Sequence, residues 1–131
     1  MSLSLSQYIH QTLRDDATMR GLTGKASPFY GVYMEFPDVI PDPPYITHQQ
    51  TAESEDVDFP KGVRVYGFTI FGSNRETIKN RIKALFHEKS IELADYYVLR
   101  MAYDHCGPDL FDDAIKVHYY TVYFTYTWIQ K

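Results

Sequence analysis

Residues Lys116–Ile129 read Lys-Val-His-Tyr-Tyr-Thr-Val-Tyr-Phe-Thr-Tyr-Thr-Trp-Ile, and this run decides the fold. Side chains of an extended strand alternate between its two faces. The even positions then carry His118, Tyr120, Val122, Phe124, Tyr126 and Trp128. The odd positions carry Val117, Tyr119, Thr121, Tyr123, Thr125 and Thr127. Val122, Phe124 and Trp128 opposed by three threonines predict a sheet with one face on a core. The other face is left to water or to a partner.

The same period extends outward from this strand. Val63–Phe71 sets Arg64, Tyr66, Phe68 and Ile70 against Val63, Val65, Gly67, Thr69 and Phe71. Tyr45–Ala52 sets Tyr45, Thr47 and Gln49 against Ile46, His48 and Gln50. Phe29–Phe36 and Tyr96–Tyr103 read as two further strands, and Ser90–Asp95 as a short helical turn. Pro37, Pro41, Pro43 and Pro44 forbid regular pairing between 37 and 44, because each removes a backbone donor. Two stretches switch to the helical period. Ser4-Leu5-Ser6-Gln7 has the form of a capping box and precedes Leu5, Ile9 and Leu13, one apolar stripe ending near Met19 or Arg20 with Gly21 as cap. Ser73-Asn74-Arg75-Glu76 repeats the box before Ile78, Ile82, Leu85 and Phe86. The expected fold is α+β: a mainly antiparallel sheet packed on two helices in the order α-β-β-β-α-β-β, one domain over residues 1–131.

Composition narrows the function classes. The chain has 131 residues and a formal net charge of −4, which argues against a generic nucleic-acid binder. Apolar runs fall far short of the ~20 residues of a membrane helix, and the first residues lack the basic start of a signal peptide. A lone Cys106 excludes an internal disulfide and suits a reducing cytoplasm. Aromatic residues reach 16%, with twelve Tyr and eight Phe. Rings fit a pleated surface and are enriched at protein–protein interfaces.

Chemical motifs are sparse. Gly-rich phosphate loops, nucleophile elbows and His-Glu-x-x-His are all missing from the sequence. One local cluster, Asp104-His105-Cys106 with His118 across the last hairpin, has the residue types of a small catalytic or ligand-binding site. Zinc sites pair their cysteines, so a hairpin end with a polar rim and a small buried thiol accounts for it more simply. His48, mid-strand beside Gln49 and Gln50, reads as part of a polar face turned to solvent or a neighbouring subunit. No catalytic residue, metal ligand or cofactor site is assigned.

Charge is distributed unevenly. Between Ala26 and Pro60 lie seven acidic residues, Glu53, Glu55 and Asp56 among them, and no Lys or Arg. From Ser73 to Lys89 there are five basic residues, including Arg75, Lys79 and Lys83, against two acidic ones. A solvated loop and helix face would look like this. So would head-to-tail self-association, with the acidic segment of one copy on the basic helix of the next. Such a contact closes into a ring when its rotation permits. Charges would then set register, and aromatic burial would supply affinity.

Four segments carry a resemblance to a known family: the capped helix with Leu5, Ile9 and Leu13; Pro43-Pro44-Tyr45-Ile46-Thr47-His48-Gln49-Gln50; the strand-to-helix unit Val63–Phe86; and the aromatic and threonine strand Tyr119–Trp128. In layout the chain resembles the phage tail-terminator proteins, also called tail completion or head–tail joining proteins, of long-tailed phages and prophages. The resemblance implies a structural protein without catalysis, metal or cofactor. It would cap the tail tube as a ring, usually of six copies, and present a surface to the head connector. Its implied partners are itself, the tail tube protein and the head connector, with DNA passing through the ring without specific binding. Its implied place is the virion neck, reached from the host cytoplasm during assembly. On charge, Glu53, Glu55 and Asp56 should meet Arg75, Lys79 or Lys83 of a neighbouring copy.

Overall fold

The computed structural model describes residues 4–34, 36–55, 61–94 and 96–131, with positions 51–55 and 61 described by their backbone alone. Three helices and seven strands follow in the order α1 (Leu5–Asp15), α2 (Ala17–Thr23), β1 (Val32–Tyr33), β2 (Tyr45–Glu55), β3 (Lys61–Phe71), α3 (Arg75–Phe86), β4 (Lys89–Glu92), β5 (Tyr96–Cys106), β6 (Leu110–Asp112) and β7 (Val117–Gln130). The class is α+β. The sheet runs β1-β2-β3-β7-β5-β4, and β6 also pairs with β7. Only β1 on β2 is parallel, so the sheet is mixed with an antiparallel majority.

β7 sits at the centre. It pairs with β3 along Tyr119–Ile129 on one flank and with β5 then β6 on the other. The register sets Ile46 beside Ile70, Phe68 beside Val122, and Tyr66 beside Phe124. These side chains all point to the face that the helices cover, and all are buried. From above, α1 adds Leu5, Ile9 and Leu13, and α3 adds Ile78, Ile82 and Phe86. Phe68 lies among the rings of Phe86 and Phe124, at 5.6 and 5.4 Å between centroids. Full burial of one such ring contributes about 1.5–3 kcal/mol.

Several boundaries differ from the sequence reading, each for a local reason. The first helix stops at Asp15, and Gly21 lies inside a second helix. Asp16 caps α2, accepting a bond from the Met19 N–H at 2.8 Å, and Gly24 in the left-handed region closes it. Arg81 of α3 grips the same carboxylate at 2.6 and 2.9 Å, which holds it well below the usual carboxylate range. There are therefore three helices, not two. The first capping box is present as expected, with Ser4 and Gln7 bonding reciprocally. The second is not. Asn74, in the left-handed region, occupies the cap without a side-chain bond, and Arg75 reaches back to the Gly72 carbonyl at 2.6 Å.

Among the described residues of the Phe29–Phe36 run only Val32 and Tyr33 pair, since Tyr30 and Gly31 take positive φ and break the extended path, and Glu35 lies outside the described residues. Of the expected helical turn Ser90–Asp95, the described residues 90–94 form none: β4 pairs there with β5, burying Ile91 opposite Val98, and Asp95 lies outside the described residues. β6 and the extension of β2 to Glu55 are further strand residues beyond the expected order.

A candidate assembly surface

Arg75, Lys79 and Lys83 recur every fourth residue of α3, so they share one side of the helix. That side leans over the sheet. Arg75 binds Asp109 at 3.1 Å, and Lys79 binds Glu76 at 2.9 Å. The Lys83 ammonium stands 4.3 Å above the Tyr103 ring. All three cations thus have partners in their own chain. Tyr120 lies beneath them, its hydroxyl 3.4 Å from Glu76, and burial pushes its phenol well above the ordinary range. Glu53 and Glu55 lie on β2, in register with Arg64 and Gly62 of β3. Asp56 falls outside the described residues.

The two charged groups are not brought together. Arg75 starts α3 just past Phe71 at one end of β3, whereas Glu53 and Glu55 align with its other end. Eight strand residues from Val63 to Phe71 separate those ends by roughly 26 Å.

The Asp104, His105, Cys106 and His118 group does not converge either. His105 pairs with Tyr123 on the helix-free face and stacks on its ring at 4.7 Å, while Asp104 holds its Nδ1 at 2.6 Å. Cys106 pairs with Val122 on the helix side, and burial pushes its thiol up, away from the reactive thiolate. His118 is four strand residues from Val122, about 13 Å along β7. It faces Asp109 and Phe111 instead. Among the described residues no group of three or more His, Cys, Asp or Glu is placed to hold a metal ion.

His48 overturns its expectation. It turns under α1 and is buried, not on a polar outer face. Its Nδ1 lies 2.7 Å from the Tyr66 hydroxyl and its Nε2 3.1 Å from His10 Nδ1. Burial, with His10 adding to it, pushes its pKa down to about 3. His48 is therefore a neutral link in a packed polar chain between α1 and the sheet.

Among the described residues two broad surfaces stay open, besides the exposed Leu110 and Phe111 of β6. The odd positions of β3 and β7 form a sheet face that none of the three helices covers. Only its upper end is closed, where Tyr45 and Phe71 stack at 4.6 Å with Val117 and Tyr119 around them. Below, threonines give way to Val63, Tyr97 and Ile129, all at least one-third exposed. The second surface is the segment before β2, where Phe29, Met34, Phe36, Val39 and Ile40 are exposed, Val39 at 84%. Clefts of about 370 and 470 Å³ lie among these side chains.

No protein-family model and no curated protein matches the chain. Its fold is matched among solved structures. A chain of the virion of the native gene transfer agent (GTA) particle superposes with a TM-score of 0.71 at 14% identity. The match covers 98% of this chain and 96% of that one. At that identity the likeness is one of fold.

Sequence alternation made the helix-free face visible, but not how apolar its lower end is. The exposed apolar side chains between positions 29 and 40 read in sequence as a strand over Phe29–Phe36 followed by a Pro-rich interruption, not as one surface. Its signal was the run of Val39 and Ile40 between prolines, large side chains where a solvated loop has polar ones.

Proposed function

We propose that this chain is a structural subunit of a phage-like particle. It forms a ring of six copies that caps the tail tube and offers the surface to which the head is joined. The observation that carries this reading is the end-to-end likeness in fold to a chain of a gene transfer agent virion. Two features support it. Large apolar side chains stand exposed at both ends of the sheet, and the basic side of α3 lies at the opposite end from Glu53 and Glu55 of β2. Both are what a subunit needs when each copy meets the next in a heterologous contact. The whole chain acts as one such domain, without catalysis, metal or cofactor. Its other partners are the tail tube protein and the head connector, and DNA passes through without being gripped. Strong phosphate contacts would retard that passage.

Electron microscopy of particles made without this gene tests the reading. Filled heads beside separate tails of irregular length are expected. Normally joined particles would end it.

The charge argument has its own test. Reversing Arg75 and Lys79 together should weaken ring formation by about tenfold, since rim pairs contribute up to ~1 kcal/mol each. Adding Glu53→Lys and Glu55→Lys should partly restore it. Arg75 also holds Asp109, so Asp109→Ala is the control and should leave rings intact. Rings of unchanged stability in the double reversal would refute the charge contact and leave the terminator reading standing.

A further inference from the structure

The two open surfaces fit one another. We propose that the apolar segment of one copy, from Phe29 to Ile40, seats on the helix-free sheet face of the next copy around Val63, Tyr97 and Ile129. This inference rests on the ring reading and names the contact that would build it.

Three observations argue for a second copy as the occupant. The first is chemical match. The segment offers Phe29, Met34, Phe36, Val39 and Ile40, and the opposite face offers Val63 in register with Thr127, and Tyr97 in register with Ile129. The central strands bring no ionisable group other than tyrosine to that face between positions 63 and 71 of β3 and 117 and 129 of β7. Next to them β5 adds Arg100, in register with Thr127, exposed and paired with Glu88 at 2.7 Å, so apolar side chains can bury there while that charge keeps its partner.

The second observation is position. The segment lies beside the Tyr45–Phe71 end of the sheet, since Phe36 packs on Phe71 at 5.6 Å and β1 pairs at Ile46 and Thr47. The receiving face is at the other end of β3, roughly 26 Å away by strand rise. One copy cannot satisfy its own patch. Different patches meeting head to tail make a contact that closes a ring or extends a filament.

The third observation is the charged rim. Asp38, within the segment, and Asp42, just after it, are exposed. At the receiving end Arg100 pairs with Glu88 and Lys131 with Glu92, while Lys89 makes no ion pair among the described residues. Arg100, in register with Thr127 and itself exposed, is the cation on that face that an incoming aspartate meets. A rim pair of this kind sets orientation, and the apolar core supplies affinity.

Cysteine cross-linking tests the contact. In a Cys106→Ser background, Val39→Cys copies are mixed with Val63→Cys copies in the presence of oxidised glutathione. The mixed disulfide should exceed either homodimer severalfold. Val39→Asp, at the most exposed of these positions, should reduce self-association at least tenfold with an unchanged circular dichroism spectrum and melting curve. A predominant Val39→Cys homodimer would mean an isologous contact and overturn the proposal. So would cross-linking of position 39 only to a different particle protein, or no cross-link at any concentration. None of these results touches the terminator reading, which stands or falls on the gene-deletion particles.

Discussion

Replacing Gly72 by alanine should cost roughly 2–4 kcal/mol of folding stability, whereas the same change at Gly21 should cost nothing or add a few tenths. Gly72 leaves β3 with φ of +100°, a backbone conformation that L side chains rarely adopt. A Cβ there would lie 2.5 Å from Pro43 Cβ and 3.2 Å from Pro44 Cα. The proline ring is stiff and the second contact is backbone, so neither moves aside cheaply. Gly72 also donates its N–H to the His118 carbonyl at 2.8 Å, which pins the exit of β3 against β7. Backbone strain of about 1–2 kcal/mol and overpacking of about 1–3 kcal/mol therefore act together. Gly21 meets nothing within 4 Å and sits inside α2, where alanine is the better helix former. Denaturant midpoints of the two variants measure the difference. Equal midpoints would refute the close approach at Gly72.

Acid should loosen the fold well before carboxylates protonate. Between about pH 7.5 and about pH 5 the chain should lose roughly 2 kcal/mol through His48 alone. Both ring nitrogens are engaged, Nδ1 with the Tyr66 hydroxyl at 2.7 Å and Nε2 with His10 Nδ1 at 3.1 Å. In the neutral ring one nitrogen donates and the other accepts, so a second proton must break the bond in which His48 is the acceptor. In the unfolded chain a histidine titrates near 6.5, and in the fold His48 is pushed down to about 3. The unfolded state therefore binds the proton first as pH falls. Stability from this group is full above pH 6.5 and declines as pH drops toward 3. His10 is also lowered, by burial and then by Arg14, with Asp15 opposing, so it adds in the same direction. Unfolding midpoints across this range should show the slope in the parent chain and a flatter one in His48→Gln. A variant that keeps the full slope would assign it to other groups.

The legible parts of this fold were those whose environment is uniform along an element. Val122, Phe124 and Tyr126 face one core, and the intervening Tyr123 and Thr125 face the helix-free side, so simple alternation was sufficient. Ile78, Ile82 and Phe86 likewise repeat because one helix face is buried throughout. What escaped depends on distant residues. Asp16 breaks the first helix because it caps α2 and because Arg81, 65 residues on, clamps it. β4 is four residues long with only Ile91 buried, and pairing with β5, not its own pattern, makes it a strand. His48 looked polar by type, and only Tyr66 and His10 explain how it is buried. The candidate site behaves in the same way. The basic helix was visible from Arg75, Lys79 and Lys83, but Asp109, Glu76 and the Tyr103 ring that engage them were not.

The central place of β7 has a consequence for the order of manufacture. β1, β2 and β3 form one part of the sheet and β4 with β5 another, and β7 joins the two and also carries β6. It is also the last of these strands in the sequence. A ribosome must therefore pass Lys116 before the sheet can close, and long-range strand pairing of this kind is slow. A nascent or prematurely terminated copy holds two unjoined half-sheets and lacks a continuous open face. Translation then acts as inspection for the proposed contact: an unfinished copy carries the apolar side chains before β2, but the receiving face exists only when the final strand is in place.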